Sequence, residues 1–164
     1  MLRFSVRSLV AGALLVGAPV AVAAASASEP AMPRAAASAS EASVITVYKA
    51  PTCGCCGAWG EHLRAHGFTV IEKDTEALYK VKALAGVPDD LVSCHTATVD
   101  GYVIEGHVPA TDIQRLLAEA PAATGLAVPG MPPAAPGMDV PGHDSPYAVL
   151  LFDGPDQPTV YATH

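Results

Sequence analysis

Three of the four cysteines fall within four residues, in Pro51-Thr52-Cys53-Gly54-Cys55-Cys56-Gly57-Ala58-Trp59, a stretch that also carries the only tryptophan. Thiols this dense have two chemical uses once ionised: nucleophilic attack in thiol–disulfide exchange, or ligation of a soft metal. Both remain open on spacing alone, because Cys53 and Cys56 form a Cys-x-x-Cys pair and Cys55 adds a third thiol between them. Cys94 follows in Ser93-Cys94-His95-Thr96, and His107 in Glu105-Gly106-His107-Val108-Pro109. Met131, Met138 and His143 each come directly after a Pro-Gly pair, a small repeat that presents a soft or borderline metal ligand at each turn.

These groups need a frame. Ser43 to Ala50 is rich in β-branched residues and bounded by Pro51, which predicts a strand. Glu61 to His66 has helical character and stops at Gly67, so the thiols sit where a strand turns into a helix. Backbone N–H groups and the positive end of the helix dipole favour thiolate there. Thr52 is placed to cap a helix starting near Cys55 or Cys56, along which Trp59, Leu63 and His66 share a face. Phe68–Lys73 is a second predicted strand, and Thr75–Ala85 a second helix, closed by Gly86 and Pro88. Thr96–Val99 and Tyr102–Glu105 flank Asp100-Gly101, a hairpin signal, and Pro109–Ala120 gives a third helix stopped by Pro121. The predicted fold is α/β, a βαβαββα domain in the thioredoxin-like layout with the cysteine loop at the first β-to-α turn. A Pro/Gly/Met-rich C-terminal extension follows, ending in a short β-hairpin of Tyr147–Phe152 and Thr159–Tyr161.

At the other end, Arg3 and Arg7 precede an apolar run from Leu9 to Ala24 and small-residue cleavage sites, the pattern of a secretory signal peptide. The run is too short and Ala-rich to span a bilayer well, so no stable membrane span is expected after cleavage. The predicted organisation is a signal peptide (1–27), a disordered Ala/Ser/Pro linker (28–42), the thioredoxin-like metal-binding domain (43–122) and a C-terminal extension packing on it (123–164). Export to the periplasm implies an oxidising compartment, where thiols stay reduced only with a metal or a reducing partner. With 9 basic against 16 acidic residues the chain lacks the footprint of a nucleic-acid binder. It also has no hydrolytic triad, phosphate-binding glycine loop or nucleotide motif, and no catalytic residue is assigned.

The combination of Tyr48-Lys49, Cys53-Gly54-Cys55-Cys56-Gly57, Glu61-His62-Leu63, Gly67-Phe68, Ser93-Cys94-His95-Thr96, Glu105 to Pro109, Gly125 to Pro132 and Pro136-Gly137-Met138 resembles the CopG-type copper-resistance proteins of bacteria. That family is catalogued as a thioredoxin-like domain of unknown function, often labelled only as metal-binding. The resemblance covers nearly all of the chain from residue 43 onward and implies a role in copper resistance and homeostasis, with copper ions and other periplasmic copper-handling proteins as partners.

Cu(I) prefers thiolate and thioether ligands with imidazole as companion, and Cys53, Cys55, Cys56, Cys94, His107, Met131, Met138 and His143 are the candidate ligands. Adjacent Cys55 and Cys56 project in different directions, which favours bridging several copper ions over a single mononuclear site. Structural zinc would ask for two separated ligand pairs, a spacing not found here. The competing readings are a periplasmic thiol–disulfide oxidoreductase using Cys53 and Cys56, and a copper-dependent electron-transfer protein. Whether the chain is an enzyme is left open, leaning against. Ligation is favoured over exchange because Ser93-Cys94-His95-Thr96, the segment expected to face the cysteine loop, carries a thiol that would trap mixed disulfides. Strand alternation points His95 away from Cys94. His62 and His66, spaced i and i+4, are second-tier ligand candidates.

Overall fold

The computed structural model describes residues 42–138, 140–154 and 157–164. The signal peptide and nearly all of the linker expected from the sequence lie outside the described residues. The elements are β1 (Val44–Lys49), α1 (Gly54–Ala65), β2 (Thr69–Asp74), α2 (Leu78–Leu84), a 3-10 turn (Asp89–Leu91), β3 (His95–Val99), β4 (Tyr102–Glu105), α3 (Ala110–Glu119), β5 (Gly125–Ala127), β6 (Ala148–Phe152) and β7 (Thr159–Thr163). Among the described residues no helix is long and apolar enough to cross a membrane.

The strands form one mixed seven-stranded sheet in the order β2-β1-β3-β4-β5-β6-β7. β1 and β2 run parallel across α1, and β3 returns antiparallel to β1, placing His95 opposite Lys49. The β3–β4 ladder turns at Asp100-Gly101, both at positive φ, as a two-residue Asp-Gly loop demands. β5 runs parallel to β4, and β6 and β7 pair antiparallel beyond it with an irregularity at Val149/Leu150. The sheet therefore continues without a break through the C-terminal segment. Residues 125–127 read locally as part of the Pro/Gly/Met-rich extension, but their pairing partners on both sides make them the strand β5.

The core gathers Ile45 and Val47 of β1, Trp59 and Leu63 of α1, Ala97 and Ile104 of the central hairpin, Ile113 and Leu116 of α3 and Leu126 of β5, all fully buried. The alternating burial along β1 is what a period-2 apolar pattern produces. Two details of the expected first helix are corrected. Cys53, not Thr52, stands at the N-cap position, and no side-chain capping bond forms because the helix already begins at Gly54. His66 is exposed and does not share the buried face of Trp59 and Leu63. It lies at the C-cap, where the chain leaves helical geometry, and its Nδ1 folds back 2.8 Å from the His62 carbonyl. In α2 the only buried residue is Lys82, whereas Tyr79 and Leu84 are exposed.

Candidate metal centre

β1 ends at Lys49, a turn closes with the Cys53 N–H on the Ala50 carbonyl, and α1 starts one residue later. This geometry delivers Cys53, Cys55 and Cys56 to the first turn of α1. Cys94 arrives from the opposite side, at a bend just before β3, and His107 from the segment after β4. The four cysteines form one group with ligand atoms all within 4.8 Å of one another, and Cys94, His95 and His107 form a second. Cys94 belongs to both. Neither group includes a carboxylate.

Within the first group Cys53 and Cys56 are joined by a disulfide, while Cys55 and Cys94 are free. The Cys55 sulfur lies 3.6 Å from that of Cys53, and the Cys94 sulfur 3.5 Å from that of Cys56. The free thiols thus flank the bridge from its two ends. Cys56 is fully buried, Cys55 and Cys94 partly so. Burial, reinforced by the neighbouring Cys55 thiol, pushes the Cys94 thiol up to about 12, so without a metal it stays protonated at neutral pH.

Imidazoles complete the second group. His107 Nδ1 donates to the Pro136 carbonyl at 2.7 Å, which leaves the Nε2 lone pair directed at the Cys94 sulfur 3.0 Å away. A ring whose second nitrogen is fixed by a backbone carbonyl is the usual arrangement of a metal-ligating histidine. Burial is the first cause that lowers both imidazole pKa values, His107 downward and His95 well below its ordinary value, and the neighbouring His107 ring and Lys82 ammonium further disfavour a proton on His95. His95 is a correction to the sequence reading. It does not point away from Cys94; its Nδ1 is 3.3 Å from the Cys94 sulfur. Alternation applies within a strand, and Cys94 occupies the bend before β3 rather than a strand position.

The C-terminal segment closes over this region. Gly137 sits at φ +81°, and a Cβ there would lie 2.5 Å from the Trp59 nitrogen and 3.0 Å from the Cys55 carbonyl oxygen. Backbone rests directly on backbone, so Pro136-Gly137-Met138 crosses the first turns of α1 beside the cysteines. Met138 is half-buried there. Met131 is 55% exposed, and His143 is exposed and in neither ligand group. His62 accepts the Ala110 N–H at Nε2 and packs against the His66 ring. Trp59 donates to the Val108 carbonyl at 2.8 Å and lies against the His95 ring, anchoring α1 to the segment that carries His107.

Comparison with known proteins shows what the chain is similar to. Residues 91–138, which include Cys94, His107 and Met138, match the family described as Protein of unknown function, DUF411. Two solved structures are similar to the chain, both of the copper resistance protein CopG. Form 2 is 40% identical, with a TM-score of 0.71, covering 76% of this chain and 99% of that one. Form 1 is 40% identical, with a TM-score of 0.69, covering 74% and 96%. Among curated proteins none matches significantly.

Proposed function

The chain belongs to the family of the copper resistance protein CopG, and from that premise we propose that it is an exported, thioredoxin-like protein that binds copper as Cu(I) in a multi-copper centre and serves copper resistance. One observation carries the reading: four sulfurs gather at the first turn of α1, two imidazoles adjoin one of them, Cys94, and neither group contains a carboxylate. Soft donors without oxygen select Cu(I) over harder cations.

Loading requires chemistry at the sulfurs. The Cys53–Cys56 bond withholds two of the four donors. An external dithiol supplies the two electrons that open it, and its own thiols leave as a disulfide. The incoming cuprous ions then displace the remaining thiol protons, that of Cys94 included, so uptake releases protons and weakens as pH falls. The sulfurs form a row, Cys55 beside Cys53, Cys53 bonded to Cys56 and Cys56 beside Cys94, and opening the central bond leaves four adjacent donors suited to bridging more than one ion. His107 supplies Nε2, and Met138 lies on the tail where it crosses α1. Met131 and His143, on the exposed part of the tail, serve as outer ligands in exchange with a periplasmic partner.

The test is a copper and thiol count on mature protein prepared anaerobically, with and without prior reduction. Several copper ions per chain with all four thiols protected, after reduction only, is the expected result. A copper-to-protein ratio near one would overturn the multi-copper centre, and full loading of the disulfide form would overturn the need for reduction.

A further inference from the structure

Lys82 and Glu105 lie beside the metal centre but are not ligands in it. The Glu105 carboxylate is fully buried at the end of β4. Its Oε1 accepts the Lys82 ammonium at 2.5 Å and the Ser93 N–H at 2.6 Å, and its Oε2 accepts the Thr96 hydroxyl at 2.7 Å. Lys82 also donates to the Thr96 hydroxyl oxygen at 3.0 Å. Lys82 is the only buried side chain of α2, so a charged group, rather than an apolar one, docks that helix.

An apolar pair of similar volume would fill this space without desolvating two charges, so burial alone does not account for the ion pair. What an apolar pair could not do is bind Ser93 and Thr96, the residues bracketing Cys94-His95. We infer that the Lys82–Glu105 pair is a positioning strut: the Glu105 carboxylate, held by Lys82, grips the chain on both sides of Cys94 and fixes its thiol against Cys56 and His107. This inference rests on the proposed role of Cys94 as a ligand, but its geometry can be tested without metal. Glu105 and Lys82 touch no reacting atom; they act through the Ser93 peptide and the Thr96 hydroxyl.

The test measures thiol placement. In a Cys53→Ser/Cys55→Ser background only Cys56 and Cys94 remain of the four cysteines, and diamide removes two electrons and two protons to join them. The rate of that closure, followed by mass spectrometry, reports how well the two sulfurs, 3.5 Å apart here, are held. Lys82→Met/Glu105→Leu is expected to slow closure by about tenfold or more, because effective concentration collapses when reacting groups lose their alignment. Lys82→Met/Glu105→Gln keeps a carbonyl acceptor for the Ser93 N–H and is expected to restore most of the rate. Equal rates in the two doubly substituted proteins, both folded, would overturn the strut. Should the Leu variant fail to fold, hydrogen exchange decides on the unsubstituted chain: the Ser93 amide is expected to be protected like a core strand amide, and fast exchange overturns the inference. Loss of copper binding with an intact strut would instead count against the proposed function.

Discussion

Replacing Gly137 with Ala tests whether the tail lies over α1. The new Cβ meets two costs. At φ +81° an L-residue is in the left-handed region, at about 1–2 kcal/mol. The methyl would also stand 2.5 Å from the Trp59 nitrogen, 2.9 Å from its Cα and 3.0 Å from the Cys55 carbonyl. These are backbone atoms of a helix that cannot turn aside, and forced overpacking of this kind costs about 1–3 kcal/mol. Gly142 is the internal control: it has φ +78° but nothing within 4 Å of an added Cβ, so Gly142→Ala meets only the first cost. The expected loss is about 2–5 kcal/mol for Gly137→Ala against about 1–2 for Gly142→Ala. Urea unfolding of both variants, followed through the single tryptophan, gives the difference. If the tail lifts instead of straining, the stability loss is capped, but His107 loses its Pro136 acceptor. Cu(I) affinity of reduced Gly137→Ala, measured by competition with a chromogenic chelator, is then expected to fall about 10–100-fold, as when a ligand's supporting bond is removed. Equal stability losses in the two variants, together with unchanged Cu(I) affinity, would refute the crossing.

Other outcomes follow from the same geometry. Cys55→Ser is expected to reduce copper stoichiometry while leaving the Cys53–Cys56 disulfide to form, as read by metal analysis and peptide mapping. Joint replacement of Met131 and Met138 is expected to weaken Cu(I) binding without lowering the unfolding midpoint; unchanged affinity would return both to packing. Lys82→Met alone leaves the fully buried Glu105 carboxylate without its cation and is expected to cost about 3–5 kcal/mol, checked by urea unfolding. The His95 and His107 pKa values are depressed in the fold, so the stability these rings contribute is complete above the unfolded value near 6.5 and is lost as pH falls through that value toward their folded ones. Metal-free protein is therefore expected to lose up to about 1.4 kcal/mol per pH unit per group on acidification below that point, and His95→Gln to flatten the profile.

The parts of the molecule legible in the sequence are those whose cause is local. The β-branched run before Pro51, the Asp100-Gly101 turn and the apolar spacing of α3 each determine their own conformation, and the clustered thiols advertise their chemistry by proximity in the chain. Where the cause lies far along the chain, the sequence is silent. Gly125-Leu126-Ala127 has little strand character of its own and becomes β5 because β4 and β6 pair with it from either side. Strand alternation turns His95 away from Cys94, but Cys94 occupies a bend outside β3, where alternation does not hold. Lys82 reads as a polar residue on an amphipathic helix, and nothing near it in sequence reveals that its partner is Glu105 on β4. Gly137 looks like one more Pro-Gly turn until the helix it touches is in place. A common physical reason underlies these cases. The ligands are specified by residue type, which a sequence displays, but their alignment is specified by long-range contacts: a carboxylate gripping Ser93 and Thr96, a carbonyl fixing the His107 ring, and a glycine that lets the tail down onto α1. Substitutions at the ligands are therefore expected to change how much copper the chain can hold, and substitutions at Glu105, Lys82 and Gly137 how tightly it holds it.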